Sequence, residues 1–416
     1  MPPMNRDVLS SYGHRPLLRQ LVDGTGRLGR VFGVGPKPIR PNQLISTAKK
    51  HTGLDDFGPW GFEAPLKLLC QDYHRHARLT LAGQIAAKHH LLQLLKNRLH
   101  LQETLSKHPE IRREQIQKPI FVLGLPRSGT TLLHGLLAQD SSHRCPITWE
   151  VMHPHPAPTK EQALSDPRIK YTDKQLGWLD HLAPGFKTIH PVGALLPQEC
   201  IAITANAFTS LEFHTTNHVP NYQKWYEQQD LVEAYSFHKF FLQYLQWKHK
   251  RERWVLKAPD HLRGLKALLE RYPDAIIVQT HRHPLQVAAS ISSHGTVIRA
   301  GFSDQVDPKS IAKEWNEYWA SSLDIALDVR RKYEHKIRFI DVQYQDLVGD
   351  PESCVNNLYA RLGLRFDSRT RDSMVKFLNS NPQDKHGRHR YSLEEFDLEA
   401  DAIRHRYQSY IESFGL

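Results

Sequence analysis

The segment Gly124-Leu-Pro-Arg-Ser-Gly-Thr-Thr131 brings together the groups that hold a polyanion. An apolar run, Pro119-Ile-Phe-Val-Leu123, precedes it, and Leu132, Leu133, Leu136 and Leu137 follow at helical spacing. That order places the segment between a buried strand and a helix start, where backbone N–H groups and the positive helix end converge on an anion. The Gly-x4-Gly frame is that of a nucleotide phosphate loop, yet Thr130 stands where such a loop carries lysine, and Arg127 supplies the cation. The Arg127 fork suits several oxygens of a phosphate and a sulfate together, while Ser128, Gly129, Thr130 and Thr131 add hydroxyl and N–H donors. A Ser/Thr-capped helix after a tight glycine turn is the plainer reading of the same residues.

A second cation ends another strand-like run, Ala275-Ile-Ile-Val-Gln-Thr-His-Arg282, and Pro284 opens the helix after it. Ser290 lies two turns into that helix, so both side chains can face the mouth of a parallel sheet, where α/β proteins bind ligands. Lys257 ends a third run, Trp254-Val-Leu-Lys257, with Asp260 close by as an ion-pair partner.

Pro126-Arg-Ser-Gly-Thr-Thr131 and the Arg282-x7-Ser290 pair resemble the 5′-phosphosulfate loop and the 3′-phosphate clamp of the sulfotransferase family. The loop is similar to the Arg-containing form of bacterial and tyrosylprotein sulfotransferases. The resemblance runs from about Lys118 to the last residue. It implies 3′-phosphoadenosine 5′-phosphosulfate (PAPS) as co-substrate, no metal requirement, and transfer of a sulfuryl group to a hydroxyl. It further implies that Tyr344 lies near the adenine, that Lys385, Gly387 and Arg388 belong to a basic loop folded over the nucleotide, and that Lys257 acts with Arg127 on the leaving group. Two positions match the family's proton acceptor: His190, in Lys187-Thr-Ile-His190, as in cytosolic members, and Glu150, roughly where tyrosylprotein sulfotransferases place a glutamate. Glu199 and His261 stand outside both patterns as further candidates. The rival function is a kinase-like P-loop phosphotransferase, weakened because ATP chemistry without the loop lysine would be crippled.

Positioning these groups requires a P-loop-like α/β fold, a parallel sheet flanked by helices with an N-terminal helical extension. Strands are expected at 119–123, 254–256, 275–280 and 336–342, and helices at 234–248, 262–271, 285–293, 308–333, 352–362 and 399–414. Residues 1–115 read as the helical extension and 116–416 as the α/β domain, including its C-terminal nucleotide-covering segment. Between Trp149 and Glu199 the Pro- and His-rich sequence keeps no period and reads as a long excursion over one end of the sheet. Trp149, Trp178, Phe186 and Phe208 there and just beyond can line an apolar pocket, which favours a phenol, sterol, lipid or glycolipid acceptor over a small sugar.

A net charge of +11 demands an anionic partner. The charges are dispersed rather than gathered in an aromatic-interleaved stripe, which argues against nucleic acid. No apolar run approaches the ~18 residues of a membrane span. No stable membrane insertion is therefore expected, and a cytoplasmic location is. The four cysteines show no CxxC spacing, which argues against a zinc or disulfide framework. A homodimer is left open.

Overall fold

The computed structural model describes residues 37–182, 192–381 and 392–416. The apolar run after Lys118 forms β1 (Ile120–Gly124), buried at all five positions. The sheet adds β2 (His143–Arg144), β3 (Arg253–Lys257), β4 (Ile276–His281) and β5 (Arg338–Gln343). Its order is β2-β3-β1-β4-β5, and every pairing is parallel. Ile120 lies opposite both Val255 and Ile276, Gly124 opposite Thr280, and His281 opposite Gln343. This register brings the carboxyl ends of β1, β3, β4 and β5 to one edge, and the chain leaves them at Gly124, Lys257, His281 and Gln343.

Alternation along the central strands feeds two apolar layers. Ile120, Val122, Val255, Val278 and Ile340 pack with Leu133, Leu136 and Leu358 on one face. Phe121, Leu256 and Ile277 face the other, against Phe241 and Trp319. Leu44, Leu66, Leu91 and Leu95, from the helices Pro41–Thr52, Glu63–Arg75 and Leu81–Lys107, belong to this second cluster. Each fully buried aliphatic side chain of this kind is worth about 1.5–3 kcal/mol.

The helix 308–333 forms as expected. The one begun at Pro284 runs on to Phe302, and the C-terminal one breaks at Tyr407 into Ala400–Arg406 and Gln408–Phe414. The excursion contains a helix the pattern did not announce, Pro167–Leu182. Among its described side chains Ile169, Thr172 and Leu176, three and four residues apart, are buried. Trp149 and Phe208 depart from their expected role: they are 1% and 0% exposed and closed within packing, Trp149 under Arg168 and Phe208 beside Phe62 and Phe213. Among the described residues no helix is long and apolar enough to cross a membrane.

Candidate functional site

The loop after β1 turns on two glycines. Gly124 has φ 145°, and a Cβ there would stand 2.4 Å from Thr280 Oγ1 and 2.5 Å from the Thr280 carbonyl. Gly129 has φ 92° at the N-cap of the helix Thr130–Leu137, and a Cβ there would stand 2.9 Å from Leu347 and 3.2 Å from Tyr344. Between them Arg127 holds φ 68°, a left-handed conformation that costs an arginine on the order of 1 kcal/mol or more. The first N–H groups of the helix have no carbonyl one turn earlier within it, and they open on the concave side of this loop.

Ser128 is placed differently from its expected role as an anion donor. It is fully buried, donates to the Leu125 carbonyl at 2.6 Å and meets Thr280 Oγ1 at 2.6 Å, so its hydroxyl shapes the loop from beneath. Thr130 is also buried, whereas Arg127 and Thr131 are exposed.

The two basic elements meet. Arg127 Nε donates to Ser290 Oγ at 3.2 Å, and Arg282 Nη1 donates to the Arg127 carbonyl at 2.8 Å. The Arg282 guanidinium lies over the Tyr344 ring at 3.9 Å, and Tyr344 in turn packs against Gly129. Burial draws the Arg282 guanidinium down; Tyr344 opposes this and the neighbouring Arg127 adds to it. Two cations held this close form a site that an anion relieves. Tyr410, from the helix Gln408–Phe414, holds its hydroxyl to the Arg282 backbone and to His281 Nδ1 at 3.2 Å. His281 Nε2 donates to Asp341 at 2.8 Å, and Arg330 grips the same carboxylate with two bonds of 2.6 Å. The last helix thus fixes the strand end that carries Arg282.

Lys257 is 2% exposed and does not pair with Asp260. Asp260 instead accepts from Tyr226 and Tyr318 at 2.5 Å each, and burial raises its carboxyl. Lys257 Nζ donates to Thr131 Oγ1 at 3.2 Å and forms a short ion pair with Glu199. The chain delivers Glu199 there by lying along residues 146–148. Thr148 N donates to the Leu196 carbonyl at 3.0 Å, and Gln198 N donates to the Pro146 carbonyl at 2.8 Å. Glu199 then stands at the N-cap of the helix Cys200–Ala205 without capping it, because its side chain turns to Lys257. Beneath them His134 is neutral: burial, then Lys257, lower it to about 3, and its Nε2 faces the Val255 carbonyl at 3.3 Å.

Of the two family-matched proton acceptors, Glu150 is 1% exposed and committed elsewhere. Arg144 Nη2 donates to it at 2.8 Å and Ile147 N at 3.4 Å, which ties β2 to the helix Thr148–Met152. Burial raises its carboxyl against the pull of Arg144. His190, with Phe186, Lys385, Gly387 and Arg388, lies outside the described residues. His261 is buried, with Nδ1 on the Tyr235 hydroxyl at 2.6 Å and its basicity lowered by burial and then by His238. Glu199, which matches neither family pattern, pairs with Lys257 beside Thr131. Tyr410 and Thr280 carried no signal, since their roles arise from contacts across 129 and 152 residues.

Residues 119–368 match the sulfotransferase family. Over 263 residues the chain is 28% identical to the omega-hydroxy-beta-dihydromenaquinone-9 sulfotransferase Stf3 of Mycobacterium bovis, covering 59% of this chain and 63% of that protein. The match thus spans less than two thirds of that relative's length. The crystal structure of sulfotransferase STF1 from Mycobacterium tuberculosis H37Rv is similar with a TM-score of 0.78 at 31% identity, over 89% of this chain and 99% of that one. Sulfotransferase STF9 from Mycobacterium avium shares the fold with a TM-score of 0.82 at 24% identity, over 90% of this chain and 96% of that one.

Proposed function

The chain belongs to the sulfotransferase family, and from that premise we propose that it transfers a sulfuryl group from PAPS to the hydroxyl of a small-molecule or lipid acceptor. The observation that carries this reading is the contact of Arg127 with Ser290 and Arg282. Two basic elements far apart in sequence meet at the carboxyl edge of the sheet, which supports one ligand that spans both.

The donor set fits PAPS. Arg127, Thr131 and the N–H groups of the helix Thr130–Leu137 would hold the 5′-phosphosulfate, Arg282 and Ser290 the 3′-phosphate, and Tyr344 would flank the adenine. The bound donor supplies a sulfuryl group whose leaving oxygen stays on the nucleotide. Lys257, beside Thr131, would offset charge growing on that oxygen. Glu199, one ammonium away from Thr131, would take the acceptor's proton as its oxygen attacks. The name of the Mycobacterium bovis relative supports a hydroxylated lipid as the acceptor class.

The test is thermal shift with 3′-phosphoadenosine 5′-phosphate against ATP and AMP. At a hundredfold excess over Kd the first should stabilise by about 2.7 kcal/mol, without magnesium. Arg127→Ala should lose that stabilisation and the transfer of labelled sulfate to a panel of hydroxylated lipids. Equal stabilisation by ATP, or wild-type transfer by Arg127→Ala, would overturn the assignment.

A further inference from the structure

A cavity of about 630 Å³ opens at the other end of the sheet, lined by Trp60, Arg112, Lys239, Phe240, Glu270 and Arg271 among others. Glu270 and Arg271 close the helix Leu265–Arg271 just before β4 begins, while Arg282 follows the far end of that strand. Six residues of strand, about 20 Å, separate the two places. The cavity is therefore distinct from the donor loop.

Its walls are fixed. Trp60 stacks on Phe240 at 4.9 Å with 22° between the rings and meets Phe237 edge-on at 5.0 Å. Arg98, itself 1% exposed, donates to the Trp60 carbonyl at 2.6 Å and to the Phe57 carbonyl at 3.1 Å, pinning the loop that carries the indole. Gln243 Nε2 donates to the Arg112 carbonyl at 3.0 Å and the Glu114 carbonyl at 2.9 Å, fixing the opposite rim. Lys239 Nζ donates to the Arg271 carbonyl at 3.3 Å. Such built-in restraint lowers the ordering cost of binding.

The charge is unbalanced. Arg112, Lys239 and Arg271 face the cavity against one lining carboxylate, Glu270, and among the described residues no ion pair joins any of the three to a carboxylate. Arg271 Nε is in addition buried without a hydrogen-bond partner. An aromatic floor and two net positive charges define a ligand with a flat ring and a dianionic head. A phosphate monoester, at about −1.5 to −2 near neutral pH, matches that charge.

We infer that this cavity is a second binding site, for a small aromatic phosphate whose ring lies against Trp60 and whose phosphate is shared by Arg112, Lys239 and Arg271. The site does not rest on the donor-loop assignment. The test is isothermal titration of the full chain with 1-naphthyl phosphate, 1-naphthol and inorganic phosphate. The aryl phosphate should bind one per chain with a sub-millimolar Kd, and the alcohol and the free phosphate at least about tenfold more weakly. Arg112→Glu, at an exposed position that leaves folding intact, and Trp60→Leu should each weaken it by about tenfold or more, whereas Arg127→Ala should leave it unchanged. Unchanged affinity in Arg112→Glu, loss in Arg127→Ala, inorganic phosphate binding as tightly as the aryl ester, or no binding of the ester would each overturn the inference.

Discussion

Replacing Glu199 by glutamine keeps the shape of the side chain and removes its charge and its capacity to take a proton. Two separate effects follow. Lys257, 2% exposed, keeps Thr131 Oγ1 at 3.2 Å but loses its anion. Cutting a buried pair outright costs about 3–5 kcal/mol, and the glutamine carbonyl, still an acceptor, should leave the loss at the low end or below. Loss of a general base slows turnover by about 10²–10⁴, or roughly 3–5 kcal/mol in the barrier. Initial rates at saturating donor should therefore fall by two to four orders of magnitude, roughly as a positioned base requires. The Kd for 3′-phosphoadenosine 5′-phosphate should move by less than about threefold, because Arg127, Arg282 and Ser290 are untouched. Glu199→Asp should recover part of the rate, which a purely structural pair would not require. Adding Lys257→Met to Glu199→Gln should cost much less than the two single losses combined, since the side chains act as one unit. Turnover of Glu199→Gln within about tenfold of the parent, or a rate loss explained wholly by weaker donor binding, would refute the role.

Gly124→Ala should lower the melting temperature and abolish nucleotide stabilisation, because its Cβ would collide with Thr280 backbone at φ 145°. Strain and overpacking there sum to a few kcal/mol, about 2–5. Tyr410→Phe should weaken 3′-phosphoadenosine 5′-phosphate several-fold in titration while leaving the melting temperature within a few degrees, since it loosens the Arg282 backbone without opening a cavity. Burial pushes the Asp341 carboxyl up, but hydrogen bonds from Arg330 and His281 outweigh it and hold it well below the usual range. Its stabilisation is then complete above the unfolded value, near pH 4, and is lost as pH falls toward the folded value. Chemical denaturation should find Asp341→Asn less stable at pH 7, with the gap to the parent narrowing below about pH 4.

What the sequence discloses depends on how locally each function is built. A loop that holds an anion with backbone N–H groups needs glycines, small hydroxyl residues and a strand–helix junction in one stretch, so residues 124–131 are legible, and even the cation substitution at Arg127 shows. The core strands are legible because burial on both faces makes Ile120–Leu123 and Ile276–Val278 continuously apolar. The Pro167–Leu182 helix is not, because the buried face among its described side chains, Ile169, Thr172 and Leu176, is short and includes a threonine. Nor is Ser128's inward turn, since the sequence gives the hydroxyl and only the approach of Thr280 decides its direction. The proposed proton acceptor is the clearest case. Glu199 belongs to no local pattern, and what marks it is Lys257, 58 residues away in the chain and 2% exposed. A buried ammonium must find a carboxylate, so once β3 places Lys257 inside the sheet edge, an anion from the excursion is required there. Glu150 meets the same requirement for Arg144. The two glutamates thus answer to two buried cations, and of those cations Lys257 is the one that stands beside Thr131 of the anion loop.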